Sequence, residues 1–143
     1  MSTRGKGKTS IEYIVGTSTT RLTSNYPSNT TFDINLQSGN EIDFAFPAIS
    51  TDDIGKEFDF YIQGSPGTTT GALVRFTTSA GSVLKGIATC TDSTLEIRDA
   101  VRIDITEQRY LGGTLIKAKI INENQISFQV FLTVASTFIT ITS

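Results

Sequence analysis

The stretch Val101-Arg102-Ile103-Asp104-Ile105-Thr106 alternates apolar and polar residues without a break. Successive side chains of an extended chain point to opposite faces, so Val101, Ile103 and Ile105 share one face and the polar residues share the other. That period predicts a half-buried β-strand, with the three apolar residues as its contribution to a core. The same texture recurs in both directions. Leu95-Glu96-Ile97-Arg98 precedes it, set off by Asp99-Ala100. Further upstream, Phe32-Asp33-Ile34-Asn35-Leu36 and Ile42-Asp43-Phe44-Ala45-Phe46 flank Ser38-Gly39-Asn40, which reads as a hairpin turn. Phe58-Asp59-Phe60-Tyr61-Ile62 follows, then a loop from Gly64 to Gly71 that holds Pro66 and three consecutive threonines. Other strands are expected from Ile11 to Val15, Ala72 to Thr77, Val83 to Ala88, Leu115 to Ile121, Ile126 to Val134 and Phe138 to Thr142.

About ten short strands with turn signals every 8 to 12 residues predict an all-β fold, an antiparallel β-sandwich or a small β-barrel. The three prolines, Pro27, Pro47 and Pro66, fall at the boundaries of the runs, where a missing N–H does little damage. Helix signals are confined to Ser50-Thr51-Asp52-Asp53-Ile54-Gly55-Lys56. A hydroxyl cap followed by acids suits the free N–H groups of a first turn, and Gly55 stops it there. Phe44 and Phe46 share one strand face, as do Phe58 and Phe60, which makes these four rings the expected aromatic core. Stacking on nucleic-acid bases would instead need basic residues between the rings, and the residues there are Ala45 and Asp59.

The chain has 143 residues and a net charge of −2, which suits one domain and gives no bulk attraction to nucleic acid. It contains no histidine and a single cysteine, so His-based triads, His-ligated metals and an internal disulfide are excluded. No apolar run approaches the roughly 20 residues of a membrane helix, and no apolar signal region follows Met1. Residues 1 to 10 differ from the rest. Arg4, Lys6 and Lys8 alternate with small residues, and the segment reads as a flexible basic arm ahead of a single β-domain at 11–143.

Each candidate for chemistry has a plainer competitor. Gly5-Lys6-Gly7-Lys8-Thr9-Ser10 ends like a phosphate-binding loop, but it lacks the earlier glycine, the preceding strand and the following helix. A basic arm that docks on an acidic surface fits better, with a tail of no function as the alternative. Two carboxylates could run a glycosidase. Asp43, Asp59, Glu96, Asp99 and Asp104, however, sit mostly at polar strand positions where solvated side chains are expected. Asp52-Asp53 reads as the acidic start of a helical turn rather than a calcium loop. Asn29-Thr30-Thr31 fits a glycosylation sequon. Cys90 reads as a small buried hydrophobe. No catalytic, cofactor or metal residues are therefore expected. Val130-Phe131-Leu132 is apolar on both strand faces, which points to a core on one side and a subunit interface on the other.

The segment from Glu41 to Phe60 (EIDFAFPAISTDDIGKEFDF) resembles a pattern common in tailed-phage virion proteins: an alternating strand, Phe-Pro-Ala, a short polar turn, Gly-Lys, then Phe-x-Phe. Lys85-Gly86-Ile87 and the Thr-rich end Phe138-Ile139-Thr140-Ile141-Thr142 resemble later parts of that pattern. The resemblance implies a β-rich virion structural protein. The leading expectation is a capsid decoration or cement protein that bridges coat subunits as a homotrimer on the capsid surface. Its partners would be itself and the major capsid protein, with no nucleic acid and no membrane. Arg4, Lys6 and Lys8 would then contact the coat, and Val130, Phe131 and Leu132 would close the trimer. The alternative is a tail-fibre, spike or carbohydrate-binding domain, meeting a glycan through the loop from Pro66 to Gly71 and tips near Tyr26 or Tyr110.

Overall fold

The computed structural model describes residues 10–15, 19–35, 41–63, 72–106 and 111–143. The described strands are β1 (Ser10–Val15), β2 (Thr19–Leu22), β3 (Thr30–Asn35), β4 (Glu41–Phe46), β5 (Glu57–Ile62) and β6 (Leu73–Thr78). They continue as β7 (Val83–Thr89), β8 (Thr94–Ala100), β9 (Arg102–Thr106), β10 (Leu115–Asn122), β11 (Gln125–Phe131) and β12 (Ile139–Thr142). Among the described residues the only helical pieces are single 3-10 turns. Two sheets pack face to face, one of order β1-β3-β5-β10-β11-β7-β8 and one of order β12-β9-β6-β4-β2. The expected all-β sandwich is thus what forms, and neither sheet closes into a barrel. Of the basic arm expected at 1–10, residues 1–9 lie outside the described residues, and Ser10 belongs to β1.

Pairing departs from the expected antiparallel scheme. The first six strands pass alternately from one sheet to the other, so β1, β3 and β5 are parallel neighbours in one sheet and β2, β4 and β6 in the other. The expected hairpin between β3 and β4 is therefore absent: the two strands belong to different sheets. Each strand pairs in parallel with its second neighbour in the chain instead, and Phe32 on β3 and Phe44 on β4 meet edge-on across the sandwich with centroids 4.9 Å apart. β2 itself, a Thr-Thr-Arg-Leu strand, was not expected from the sequence pattern.

The aromatic core follows from this winding. Parallel, in-register neighbours stack within each sheet: Phe32 on Phe60 at 5.0 Å and Phe44 on Phe76 at 5.5 Å. Across the sandwich the same rings meet edge to face, at 4.7 Å for Phe44–Phe60 and 4.9 Å for Phe60–Phe76. Both geometries let the positive ring edge or an offset face meet the negative π face, adding to the gain from burial. Phe44, Phe46, Phe58, Phe60, Ile103 and Ile105 are fully buried, as the alternation predicts.

Val101 is the exception, 40% exposed and outside any strand. The chain passes from the seven-stranded to the five-stranded sheet at this point, with Asp99 at φ +48° just before it. The Val101 N–H donates to Thr142 O at 2.8 Å and its carbonyl accepts from Thr78 N at 3.0 Å, closing the corner. The crossing resets the alternation, so Val101 loses step with Ile103 and Ile105.

The turn at Thr51–Asp53 forms as expected. Asp53 Oδ2 accepts from Ser50 N at 3.2 Å and from Ser50 Oγ at 3.1 Å, and Asp53 Oδ1 lies 3.1 Å from Lys56 Nζ. Burial opposes ionisation of Asp53, but the hydrogen bonds from Lys56 and Ser50 outweigh it and hold the carboxyl below its ordinary range. Gly55, at φ +92°, lets the chain leave the turn, and its N–H donates to Ile120 O at 2.7 Å.

Candidate interaction face

A strand buried on one side only should carry polar residues on the other. Apolar side chains that break this parity are therefore informative, and they gather on the outer face of the seven-stranded sheet. Asp33, Tyr61, Leu115, Phe131 and Thr89 stand in one row across five neighbouring strands. Asp59, Lys117, Gln129, Ile87 and Glu96 make the next. Tyr61 is 40%, Phe131 45% and Ile87 49% exposed, and Leu115 is half-buried between the first two. Ile87, Thr89, Gln129 and Phe131 line a shallow depression. Beside it runs a polar trough lined by Glu57, Asp59, Lys117, Lys119, Ser127 and Gln129.

Charges frame this patch in pairs: Lys117 with Asp59 at 3.7 Å, Lys85 with Asp99 at 3.3 Å and Arg98 with Glu96 at 2.9 Å. Exposed pairs of this kind contribute little to the stability of a fold. Their larger effect is to keep the face free of a single-sign field, so an approaching partner meets apolar surface ringed by balanced charge.

The structure divides the expected interface residues. Val130 and Leu132 are buried in the core of this chain, and only Phe131 points outward. Val130 lies inward on β11 by ordinary alternation, and Leu132 falls just past the strand end, where it remains covered. Tyr61, Ile87 and Leu115 join Phe131 and were missed by the sequence reading. The signal was available, since Tyr61 interrupts an alternation at an outward position.

Apart from Asp43 and Asp104, the other candidates described next fall where their plainer readings put them or outside the described residues. Arg4, Lys6 and Lys8, the loop from Pro66 to Gly71, and Tyr110 are outside. Tyr26 packs edge-on against Phe32 at 4.9 Å. Cys90 is buried, and burial followed by the nearby Asp92 charge pushes its thiol up, away from the reactive thiolate. Asp92 fastens two loops by accepting from Ser136 N at 2.8 Å and Ser136 Oγ at 3.0 Å. Among the described residues no three acids or cysteines are grouped to hold a metal ion.

The outer face of the five-stranded sheet holds a charge network that the sequence reading placed in solvent. Asp43, Arg75 and Asp104 stand in register on β4, β6 and β9. Arg75 Nε donates to Asp104 Oδ1 at 2.8 Å, and its Nη1 donates to Glu41 Oε2 at 3.0 Å. Arg102 donates through Nε at 2.9 Å and Nη2 at 2.8 Å to Asp104 Oδ2. Burial disfavours the Asp104 anion, but the two arginines outweigh it and hold the carboxyl below its ordinary range. Asp43 gains no such bond, and its Oδ1 is buried without a hydrogen-bond partner. Burial, then the hydrogen bond and negative charge of Glu41, push its carboxyl up to about 6 against the pull of Arg75.

No family model, no curated protein and no solved structure matches this chain.

Proposed function

We propose that this chain is a structural protein of a tailed-phage virion, a capsid decoration protein that acts as a homotrimer and bridges neighbouring coat subunits on the capsid surface. The observation that carries the reading is the exposed patch of Tyr61, Leu115, Phe131 and Ile87 on the outer face of the seven-stranded sheet. A stiff two-sheet body with one apolar face suits adhesion, and the resemblance of the Glu41–Phe60 segment supplies the setting. Arg4, Lys6 and Lys8 would contact the acidic surface of the coat, a salt-sensitive interaction.

The magnitude can be set from Phe131. Burying a whole phenylalanine is worth about 1.5–3 kcal/mol, so covering the exposed 45% stabilises each contact by about 1 kcal/mol. Three copies give about 3 kcal/mol, or roughly a hundredfold in the association constant. Sedimentation of the full chain at micromolar concentration should give the mass of three chains, and Phe131→Ser should shift the assembly toward monomer by about that factor. A monomer at every concentration refutes the trimer. Removing residues 1–10 should leave a folded trimer that fails to decorate empty capsids; unchanged decoration removes the arm from the proposal.

One feature favours recognition of a host glycan instead. Asp59, Lys117 and Gln129 offer hydrogen bonds to hydroxyls directly beside the rings of Tyr61 and Phe131, the combination a sugar uses. Retention on immobilised polysaccharide, lost in Tyr61→Ala, would decide for that reading.

A further inference from the structure

We propose that the threefold axis of the assembly runs parallel to the strands over the boundary between β5 and β10, so that β5 of each copy meets β10 of the next. The proposal rests on the homotrimer reading and names the contacts that close it. Its support is the way charge is divided across the outer face of the seven-stranded sheet. Among the described residues, the outward positions of β3 and β5 hold Asp33, Glu57 and Asp59 and no cation. Those of β10, β11 and β7 hold Lys85, Lys117 and Lys119 and no anion. β8, at the edge, carries both signs in Glu96 and Arg98. From β3 to β7 the sign therefore changes at one strand boundary. There the residues match row by row: Tyr61 with Leu115, Asp59 with Lys117, and Glu57 with Lys119.

Symmetry turns this division into a fit. A rotation about an axis parallel to the strands keeps each row at its own level, so apolar meets apolar and charge meets charge. Three copies around an axis over this boundary surround it with six columns, acidic β5 and basic β10 in alternation. Tyr61 and Leu115 then close the apolar level, Asp59 faces Lys117 of a neighbour, and Glu57 faces Lys119. Phe131, beside Leu115 in the same row, reaches toward Tyr61 of the neighbouring copy. The adjoining boundaries do not balance. Lys117 and Lys119 stand beside Gln129 and Ser127 on one side, and Asp59 stands beside Thr31 on the other. An axis over either would gather three like charges at one level. Opposite charges at such a contact decide register and partner more than strength, and the apolar row supplies the adhesion.

Charge exchange on the full chain, read by sedimentation at micromolar concentration, tests the axis. Lys119→Glu sets like charges at all three contacts and should weaken trimer association about a hundredfold, as should Glu57→Lys. The double variant Glu57→Lys with Lys119→Glu restores opposite charges at every contact and should sediment as three chains again. An equimolar mixture of the two single variants should fall short of the wild-type trimer. A ring of three built from two kinds of chain always leaves one contact between like charges. Full recovery in the mixture with the mass of two chains means a twofold pair and overturns the proposal. A Lys119→Glu chain that trimerises like wild type overturns it too while leaving the trimer in place; a monomeric wild type removes both. Far-UV circular dichroism checks that each variant folds. Should Lys119→Glu fail to fold, a mixture of Tyr61→Cys and Leu115→Cys chains treated with a short thiol cross-linker should give more two-chain product than either alone. No excess overturns the axis.

Discussion

Gly86 sits in β7 where the strand pairs with β11 on one side and is bulged against β8 on the other. It is in register with Phe128, and a Cβ added there would fall inside the contact shell of the Phe128 carbonyl oxygen, 2.8 Å from the carbonyl carbon and 3.3 Å from the nitrogen. Ordinary carbon contacts lie at about 3.5–4.0 Å, so Gly86→Ala must part the two backbones by roughly 1 Å. The obstructing atoms are main chain and cannot swing aside. Hydrogen bonds near 2.9 Å do not survive such a stretch. Losing about two of them costs about 2 kcal/mol, and the overpacking adds about 1–3 kcal/mol. Gly86→Ala should therefore destabilise the fold by about 3–5 kcal/mol. With a urea slope near 2 kcal/mol/M, the far-UV circular dichroism midpoint should drop by about 2 M. Gly81→Ala is the control: its φ is +94° but no atom lies within 4 Å of the added carbon, so only the left-handed strain of about 1–2 kcal/mol applies. If Gly86→Ala costs no more than Gly81→Ala, the close approach of β7 and β11 is not what demands glycine here.

Two further substitutions test the charged turns and faces. Asp104→Asn strands Arg75 and the half-exposed Arg102 without their shared anion and should cost about 2–3 kcal/mol in urea unfolding, toward the lower end of what breaking buried pairs costs. Because the Asp104 carboxyl is held low, its contribution is present above the ordinary carboxylate value and disappears as pH falls through the folded value, so the gap between wild type and Asp104→Asn should narrow as pH falls below the ordinary carboxylate range. Asp53→Ala removes the acceptor for Ser50 and the partner of Lys56 and should cost about 1 kcal/mol, measured as a fall in the thermal midpoint.

Alternation made the strands legible because each is buried on one side. Phe32, Phe44, Phe58 and Phe60 face inward as their positions predict. Pairing was not legible. The sequence Ser38-Gly39-Asn40 is chemically suited to a hairpin, yet β3 pairs with β5 and β4 with β6, partners separated in the chain by an intervening strand that no local turn signal reports. Val101 failed because periodicity cannot register a change of sheet in mid-run. Asp104 failed because an acid on an outward position was read as solvated, whereas two arginines from neighbouring positions cover it. Of the interface triplet, Phe131 alone is exposed, and the flanking Val130 and Leu132 are buried.

The alternate winding of β1 to β6 has a consequence for how the molecule comes into being. Ser10 aligns with Thr30, Thr30 with Phe58, and Glu41 with Leu73, so none of these strands can join the one that follows it in the chain. A loop must close before each pairing is rewarded, which makes such contacts slow to form. The local seeds lie elsewhere: β10 and β11 meet through the tight connection between Asn122 and Gln125, and β7 and β8 through a turn in which Cys90 N–H donates to Ser93 O at 2.8 Å. The ring contacts among Phe32, Phe44, Phe60 and Phe76 lie wholly within β3 to β6, so the first half of the chain can cover its own phenylalanines, whereas β5 gains its second strand neighbour only once β10 has been made.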